Sequence, residues 1–332
     1  MTGPREVVDR ILAGRKPLGK GTGAAYAPAN IALAKYWGKR NETLNLPTAP
    51  SLSISLGDLG SHVELAEWDG PEDAVWLNGL PLPLGSGFAR RAGAYLDLFR
   101  PGPGYRFELK ARNTVPTAAG FASSASGFAA LAKALDELFD WGLGVRELSI
   151  LARLGSGSAA RSLEEGFVEW HAGEDPDGMD SFGERLAAEW PELRVGAVVV
   201  SSAEKAVGSR EGMKRSVETC EFYREWPERT SKDLAALKEA IAEKNAAALG
   251  TVAECNALAM HALMLATRPP ILYALPETVA AMRAIWKARE EGLPVWFTMD
   301  AGPNVKLLFE AKDEGGVRDL FPGAHIVSPF GG

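Results

Sequence analysis

The hydrophobic period of this chain changes near residue 125, and that change limits the folds open to it. Upstream, apolar and polar residues alternate. Ser51 to Leu56 and His62 to Trp68 read as two strands, and Tyr105, Phe107 and Leu109 alternate with Arg106, Glu108 and Lys110. A two-residue period marks a sheet with one wet face. Val75-Trp76-Leu77 and Leu80-Pro81-Leu82 flank Asn78-Gly79, the strongest short-range hairpin signal. Then Phe128, Leu131, Leu135 and Leu138 fall on one helical face. Val195 to Ser202 reads as a buried strand. Leu234, Leu237 and Ile241 mark a helix that Gly250 is placed to stop. Thr251 to Ala266 is a helix closed by Pro269-Pro270, and Pro276 to Gly292 is another with proline near its start. Val295 to Met299 and Val305 to Phe309 are strands joined by Asp300-Ala301-Gly302-Pro303-Asn304. Strands and helices mix without strict alternation, which predicts α+β rather than a doubly wound parallel sheet. A change near residue 190 divides the chain into expected lobes 1–190 and 191–332.

A chain of 332 residues can build one large core or two lobes. The net charge of −7 comes with basic residues scattered along the sequence, so a nucleic-acid-binding face is not expected. No uninterrupted apolar run approaches the roughly 18 residues of a membrane span, and no membrane partner is expected. Met1 to Lys20 lacks the apolar centre of a signal peptide, so a cytoplasmic location is expected. Cys220 and Cys255 are far apart and read as free buried thiols. No residue cluster has metal-site spacing. His261 reads as a packed, hydrogen-bonded histidine and His171 as a surface one.

Four segments carry candidate chemistry. Pro116 to Gly127 is a run of small residues that includes Gly120, Ala122, Ser123, Ser124 and Ser126. It leads into a helix whose free N–H groups suit phosphate, but it lacks the Gly-Lys-Ser/Thr of a Walker loop. A small-residue loop packed on a sheet is the other reading. Gly155-Ser156-Gly157-Ser158-Ala159-Ala160-Arg161 puts Gly and Ser at a helix start and a guanidinium one turn in. Such an arginine grips a carboxylate or phosphate, or forms a surface ion pair. Asn30 to Arg40 gathers Lys35, Tyr36, Lys39 and Arg40, which read either as a cationic patch or as a solvated basic turn. Asp300, in a Gly/Pro loop between two apolar strands, is a candidate base or an ordinary turn aspartate.

Together, in order and spacing from about Ala27 to Phe309, these segments resemble the diphosphomevalonate decarboxylases. That family lies within the superfamily of galactokinase, homoserine kinase, mevalonate kinase and phosphomevalonate kinase. The resemblance implies a two-lobed fold of that kinase type. It has a ribosomal-protein-S5-like N-terminal lobe and an α/β C-terminal lobe, with a deep cleft between them. It implies ATP-dependent decarboxylation of mevalonate 5-diphosphate, with Mg²⁺ carried on the ATP phosphates, and a homodimer. It implies roles as well. Asp300, Arg161 and Lys35 are catalytic, with Arg161 on the substrate carboxylate. Asn30, Tyr36, Lys39, Ser156, Ser158, Ser209, Arg210 and Met213 bind substrate. Gly120, Ala122, Ser123, Ser124, Ser126 and Lys205 bind ATP. Ala49 stands where many members carry Asn, and Ala160 fills a variable site; neither departure removes a charge. The alternatives within reach are a phosphomevalonate decarboxylase, a mevalonate 3-kinase, or a non-catalytic ATP-binding protein.

Overall fold

The structure is a computed structural model that describes residues 2–17, 19, 21–114, 123–203 and 205–330. Among these residues, seven strands form one sheet and four form a second. In the first, Ser51–Glu67 is the central strand. It pairs antiparallel with Thr22–Ala34 on one side, and on the other with Phe107–Asn113 and then Phe167–Trp170. One face of this sheet is covered by the helices Ser123–Phe139 and Val145–Gly155, with Phe107, Leu109, Val63 and Leu65 in the shared core.

Two strands were expected where the one strand Ser51–Glu67 runs through. Gly57, at φ 56°, and a register break opposite Pro28 and Asn30 let the strand bend without ending. The Asn78-Gly79 hairpin is as expected, with φ of 52° and 81° in the turn between Ala74–Leu77 and Leu80–Pro81.

The second sheet runs in the order Trp296–Met299, Val305–Glu310, Leu193–Val198, His325–Val327. It does not stand apart from the first. Ile31, Leu33, Leu52 and Ile54 of the first sheet share one apolar core with Val195 and Leu308 of the second and with Leu234, Leu237 and Leu249. Residues 27–35 are therefore buried on both sides.

The strand expected over Val195 to Ser202 lies at Leu193–Val198. The segment after it leaves the sheet and is tied by Asn304, whose Oδ1 accepts from the N–H groups of Val200 and Ser201. Gly250 does not stop a helix. Trp226–Ala242 ends at Lys244, which has positive φ, and Asn245 caps the next helix, Ala246–Leu265. Gly250 lies inside that helix because Trp296 packs there: a Cβ would meet the indole at 2.3 Å.

The helix Ala246–Leu265 also departs from the expectation for membrane spans. Over 20 residues it has the length and composition of one. Glu254, Asn256 and His261 break its apolar run in the sequence. Half of its most apolar window is buried inside the fold, and its buried Glu254 pairs with Arg289, which fits a core helix. Cys220 is buried but Cys255 is exposed, against the reading of both as buried.

Candidate active site

Several elements far apart in sequence bring charge to one cavity of about 600 Å³. Thr22–Ala34 supplies Asn30 and, one residue past its end, Lys35. Register breaks between Pro28 and Asn30 and between Ala32 and Ala34 re-aim side chains at these points, as bulges beside functional sites do. The Lys35 N–H donates to Asn256 Oδ1 at 2.8 Å, and Lys35 Nζ donates to the Ala32 carbonyl at 2.7 Å and to Asp300 Oδ1 at 2.9 Å. Only 1% of the Lys35 side chain is exposed, against 34% of Asp300. A basic turn in solvent is thus excluded. Asp300 sits where expected, between Trp296–Met299 and Val305–Glu310.

Arg161 closes the short 3₁₀ helix Gly157–Arg161. Gly155 is the last residue of Val145–Gly155 rather than the start of a helix, so Ser156 joins two helical turns. Arg161 is buried. It donates from one terminal nitrogen to Ser51 Oγ at 2.6 Å and lies over the Trp170 ring at 5.8 Å. Its Nε is buried with no hydrogen-bond partner, an arrangement that a bound anion would satisfy.

The electrostatics follow from burial and neighbours. Burial alone would raise the Asp300 pKa, but Lys35, Lys306 and Arg161 outweigh it and bring it down to about 2. Burial lowers Lys35 against the opposing pull of Asp300. It lowers Arg161 to about 10 and His261 to about 4. A neutral His261 with Nε2 at 3.1 Å from the Asp300 carbonyl oxygen acts as a packed donor, as expected. His171 is half-buried and paired with Glu169 and Glu184 rather than free on the surface.

The other end of the cavity is held less tightly. Lys39 Nζ donates to Asn45 Oδ1 at 2.6 Å, and Asn45 Nδ2 donates to the carbonyls of Arg153 and Leu154. Gly38, at φ 109°, lets the chain turn against Tyr223, whose hydroxyl a Cβ would strike at 1.6 Å. Burial, and then Arg210, lowers Lys39 to about 8. Tyr36 lines the wall with a buried hydroxyl that has no hydrogen-bond partner. Ser156 Oγ and Ser158 Oγ lie 3.4 Å apart. Ser209 and Arg210 open the helix Ser209–Thr219, whose Gly208 cap offers no side chain. Its free N–H groups stay available to an anion. Lys205 Nζ bridges the Ala301 carbonyl at 2.6 Å and Ser209 Oγ at 3.3 Å. Met213 is buried at the base, and Asn30 Nδ2 donates to Ser162 Oγ at 2.7 Å.

Of the expected ATP loop, Ser124 lines the cavity at the start of Ser123–Phe139. Gly120 and Ala122 lie outside the described residues, as does the Ser123 side chain. Ser126 is fully buried, with Oγ 2.8 Å from Ser61 Oγ on the central strand, and is not among the described residues that line the cavity. The sequence reading missed Lys306, Asn45, Asn256 and Ser51. Lys306 had a usable signal, a lone cation in the apolar strand Val305-Lys306-Leu307-Leu308-Phe309. A second concavity of about 650 Å³ lies on the outer face of the first sheet, beside Tyr26 and Trp76. It gathers none of the buried ionised groups.

Known proteins resemble this chain in sequence and fold. Residues 27–183 match the model of the diphosphomevalonate decarboxylase-like N-terminal domain, and residues 195–324 that of the mevalonate 5-diphosphate decarboxylase C-terminal domain. The chain belongs to the diphosphomevalonate decarboxylase family. The Bos taurus diphosphomevalonate decarboxylase is 39% identical over 300 residues, 84% of this chain and 74% of that one. The Homo sapiens protein of that name is 37% identical over 315 residues, 88% and 77% of the two chains. Mevalonate diphosphate decarboxylase from Staphylococcus aureus superposes with a TM-score of 0.87 at 38% identity, over 93% of this chain and 95% of that one. A complex of MDDEF with MVAPP, AMPPCP and magnesium superposes at 0.85, also 38% identical, over 93% and 97%. The family's two-lobed kinase-type fold is the one expected from the sequence.

Proposed function

We propose that this chain is an ATP-dependent carboxy-lyase that converts mevalonate 5-diphosphate to isopentenyl diphosphate, ADP, phosphate and CO₂. The observation that carries this reading is the Asp300 carboxylate. It is ionised and hydrogen-bonded to Lys35, and it lines one cavity with Arg161 and two helix N-termini. A relative bound to MVAPP, AMPPCP and magnesium supports it.

The substrate's tertiary hydroxyl is a poor leaving group. In the first step its oxygen bonds to the γ-phosphorus of ATP as the bond to the ADP oxygen breaks. Asp300 orients the hydroxyl and accepts its proton. Such transfer needs positioning and electrostatic stabilisation more than covalent help. In the second step the new phosphate leaves with the C–O electron pair. The carboxylate departs as CO₂, and its C–C pair becomes the double bond. Arg161 orients that carboxylate. Interactions tighter in the ground state than in the transition state would slow the step. Tyr36, Lys39, Ser156, Ser158, Ser209 and Arg210 hold the diphosphate. The N-terminus of Ser123–Phe139 and Lys205 take ATP.

Mg²⁺ favours oxygen ligands and keeps several waters, and on the ATP phosphates it would neutralise charge on the transferred group. Asp300 is the only carboxylate among the described cavity residues, and it already faces two lysines. The metal therefore fits as a companion of the nucleotide rather than as a protein-held ion. We also propose the homodimer, which sedimentation would test.

The functional test offers mevalonate, its 5-phosphate and its 5-diphosphate in parallel, and follows ADP and CO₂. Equal ADP and CO₂ from the diphosphate alone is the expected result. ADP without CO₂ would make the chain a 3-kinase. Turnover of the monophosphate alone would make it a phosphomevalonate decarboxylase.

A further inference from the structure

Lys306 has no part in the roles assigned above. It lies on Val305–Glu310, where Val305, Leu307 and Phe309 pack into the core. Its own side chain is only 3% exposed, yet it lines the cavity. Burying an ammonium is costly unless the charge is answered. Lys306 Nζ lies 3.3 Å from the Asn304 carbonyl oxygen and 4.0 Å from Asp300 Oδ2. Lys35 holds the other oxygen, Oδ1, at 2.9 Å. Each oxygen of the carboxylate thus faces a lysine, but at different range. The first distance is a charge-assisted hydrogen bond. The second is beyond hydrogen-bond reach and still close enough for strong attraction in a site sheltered from water. Oδ1 is committed to Lys35, whereas Oδ2 keeps a counter-charge and remains able to accept a new donor.

We propose that Lys306 is a positioning residue: through Asp300 it keeps the carboxylate ionised and sets Oδ2 as the oxygen that meets the substrate hydroxyl. This rests on the role given to Asp300 above. Among the described residues, the titratable groups that act on Lys306 include Asp300, Lys35, Lys205 and His261. Burial, partly offset by Asp300, brings Lys306 down to about 8. Its charge is complete below that pH and is lost as pH rises through it. Asp300 then loses one of its two lysine counter-charges, so turnover at saturation falls.

The experiment measures kcat, both KM values and the pH profile of kcat for the wild type, Lys306→Met and Lys306→Arg. Lys306→Met is expected to lose about 10²-fold in kcat, the scale of one removed electrostatic group, with both KM values within about threefold. Its remaining activity shows no fall above pH 8. Lys306→Arg, charged throughout, regains at least about tenfold and also stays level at alkaline pH. A merely structural lysine would move neither the profile nor the split between kcat and KM. Thermal unfolding and ATP binding show whether the Met variant is folded. If it is not, the Arg variant alone decides: a level alkaline profile supports the proposal, and a wild-type fall overturns it. Wild-type kcat in Lys306→Met, beside an active wild type, overturns Lys306 alone. A wild type that releases neither ADP nor CO₂ overturns the functional reading and Lys306 with it.

Discussion

The two ends of the cavity are built differently. Around Asp300, the charged groups come from residues 35, 161, 300 and 306, in three stretches far apart in sequence, and three of the four are almost wholly buried. Asn256 fixes the Lys35 backbone and Ser51 fixes Arg161. Around Lys39 and Arg210, the groups sit on the short strand Lys39–Asn41 and on the first turn of the helix Ser209–Thr219, half-buried or exposed. Buried, hydrogen-bonded charge is costly to disturb and holds reacting atoms in place. Exposed charge attracts and selects at lower cost. The first end is built for chemistry and the second for recognition.

The largest effect should come from Asp300→Asn, which removes the proton acceptor and leaves two lysines facing a neutral amide. Turnover should drop by about 10³-fold or more, followed by ADP release. A wild-type rate would collapse the distinction between the ends. Next is Arg161→Met, expected to cost about 10²- to 10³-fold in CO₂ release. A change confined to the KM for ATP would move Arg161 off the carboxylate.

At the recognition end, Lys39→Ala should raise the KM for mevalonate 5-diphosphate about tenfold or more while kcat stays within about threefold. An effect on ATP alone would assign Lys39 to the nucleotide. Because Lys39 titrates at about 8, its charge is present below that pH and lost above it. Substrate KM in the wild type should therefore rise through pH 8, and Lys39→Arg should flatten the rise. The smallest effect belongs to Asn45→Ala, which frees Lys39 and removes two hydrogen bonds to helix carbonyls. A stability loss of about 1–2 kcal/mol and a KM increase of a few fold should show by denaturant titration and steady-state kinetics.

Periodicity made the outer elements legible. Alternation placed Phe107–Asn113, and the apolar heptad-like spacing placed Ser123–Phe139, because each has one face in the core and one in water. It failed where both faces are buried. Residues 27–35 show no wet face, so the sequence marks Asn30 to Arg40 only as a cationic patch or a basic turn, not as a buried strand ending beside Lys35. Gly250 looked like a stop because its reason, the Trp296 ring, is 46 residues away in sequence. Motifs name Lys35 and Asp300; the lone cation in an apolar strand marks Lys306, but its approach to Asp300 depends on a distance across a loop that spacing does not show.

The most direct test of the division is calorimetric titration of mevalonate 5-diphosphate into Asp300→Asn and Lys39→Ala side by side. Affinity within about threefold of the wild type for Asp300→Asn, and at least about tenfold weaker for Lys39→Ala, is the expected result. The reverse order would contradict it and place substrate recognition at the buried carboxylate.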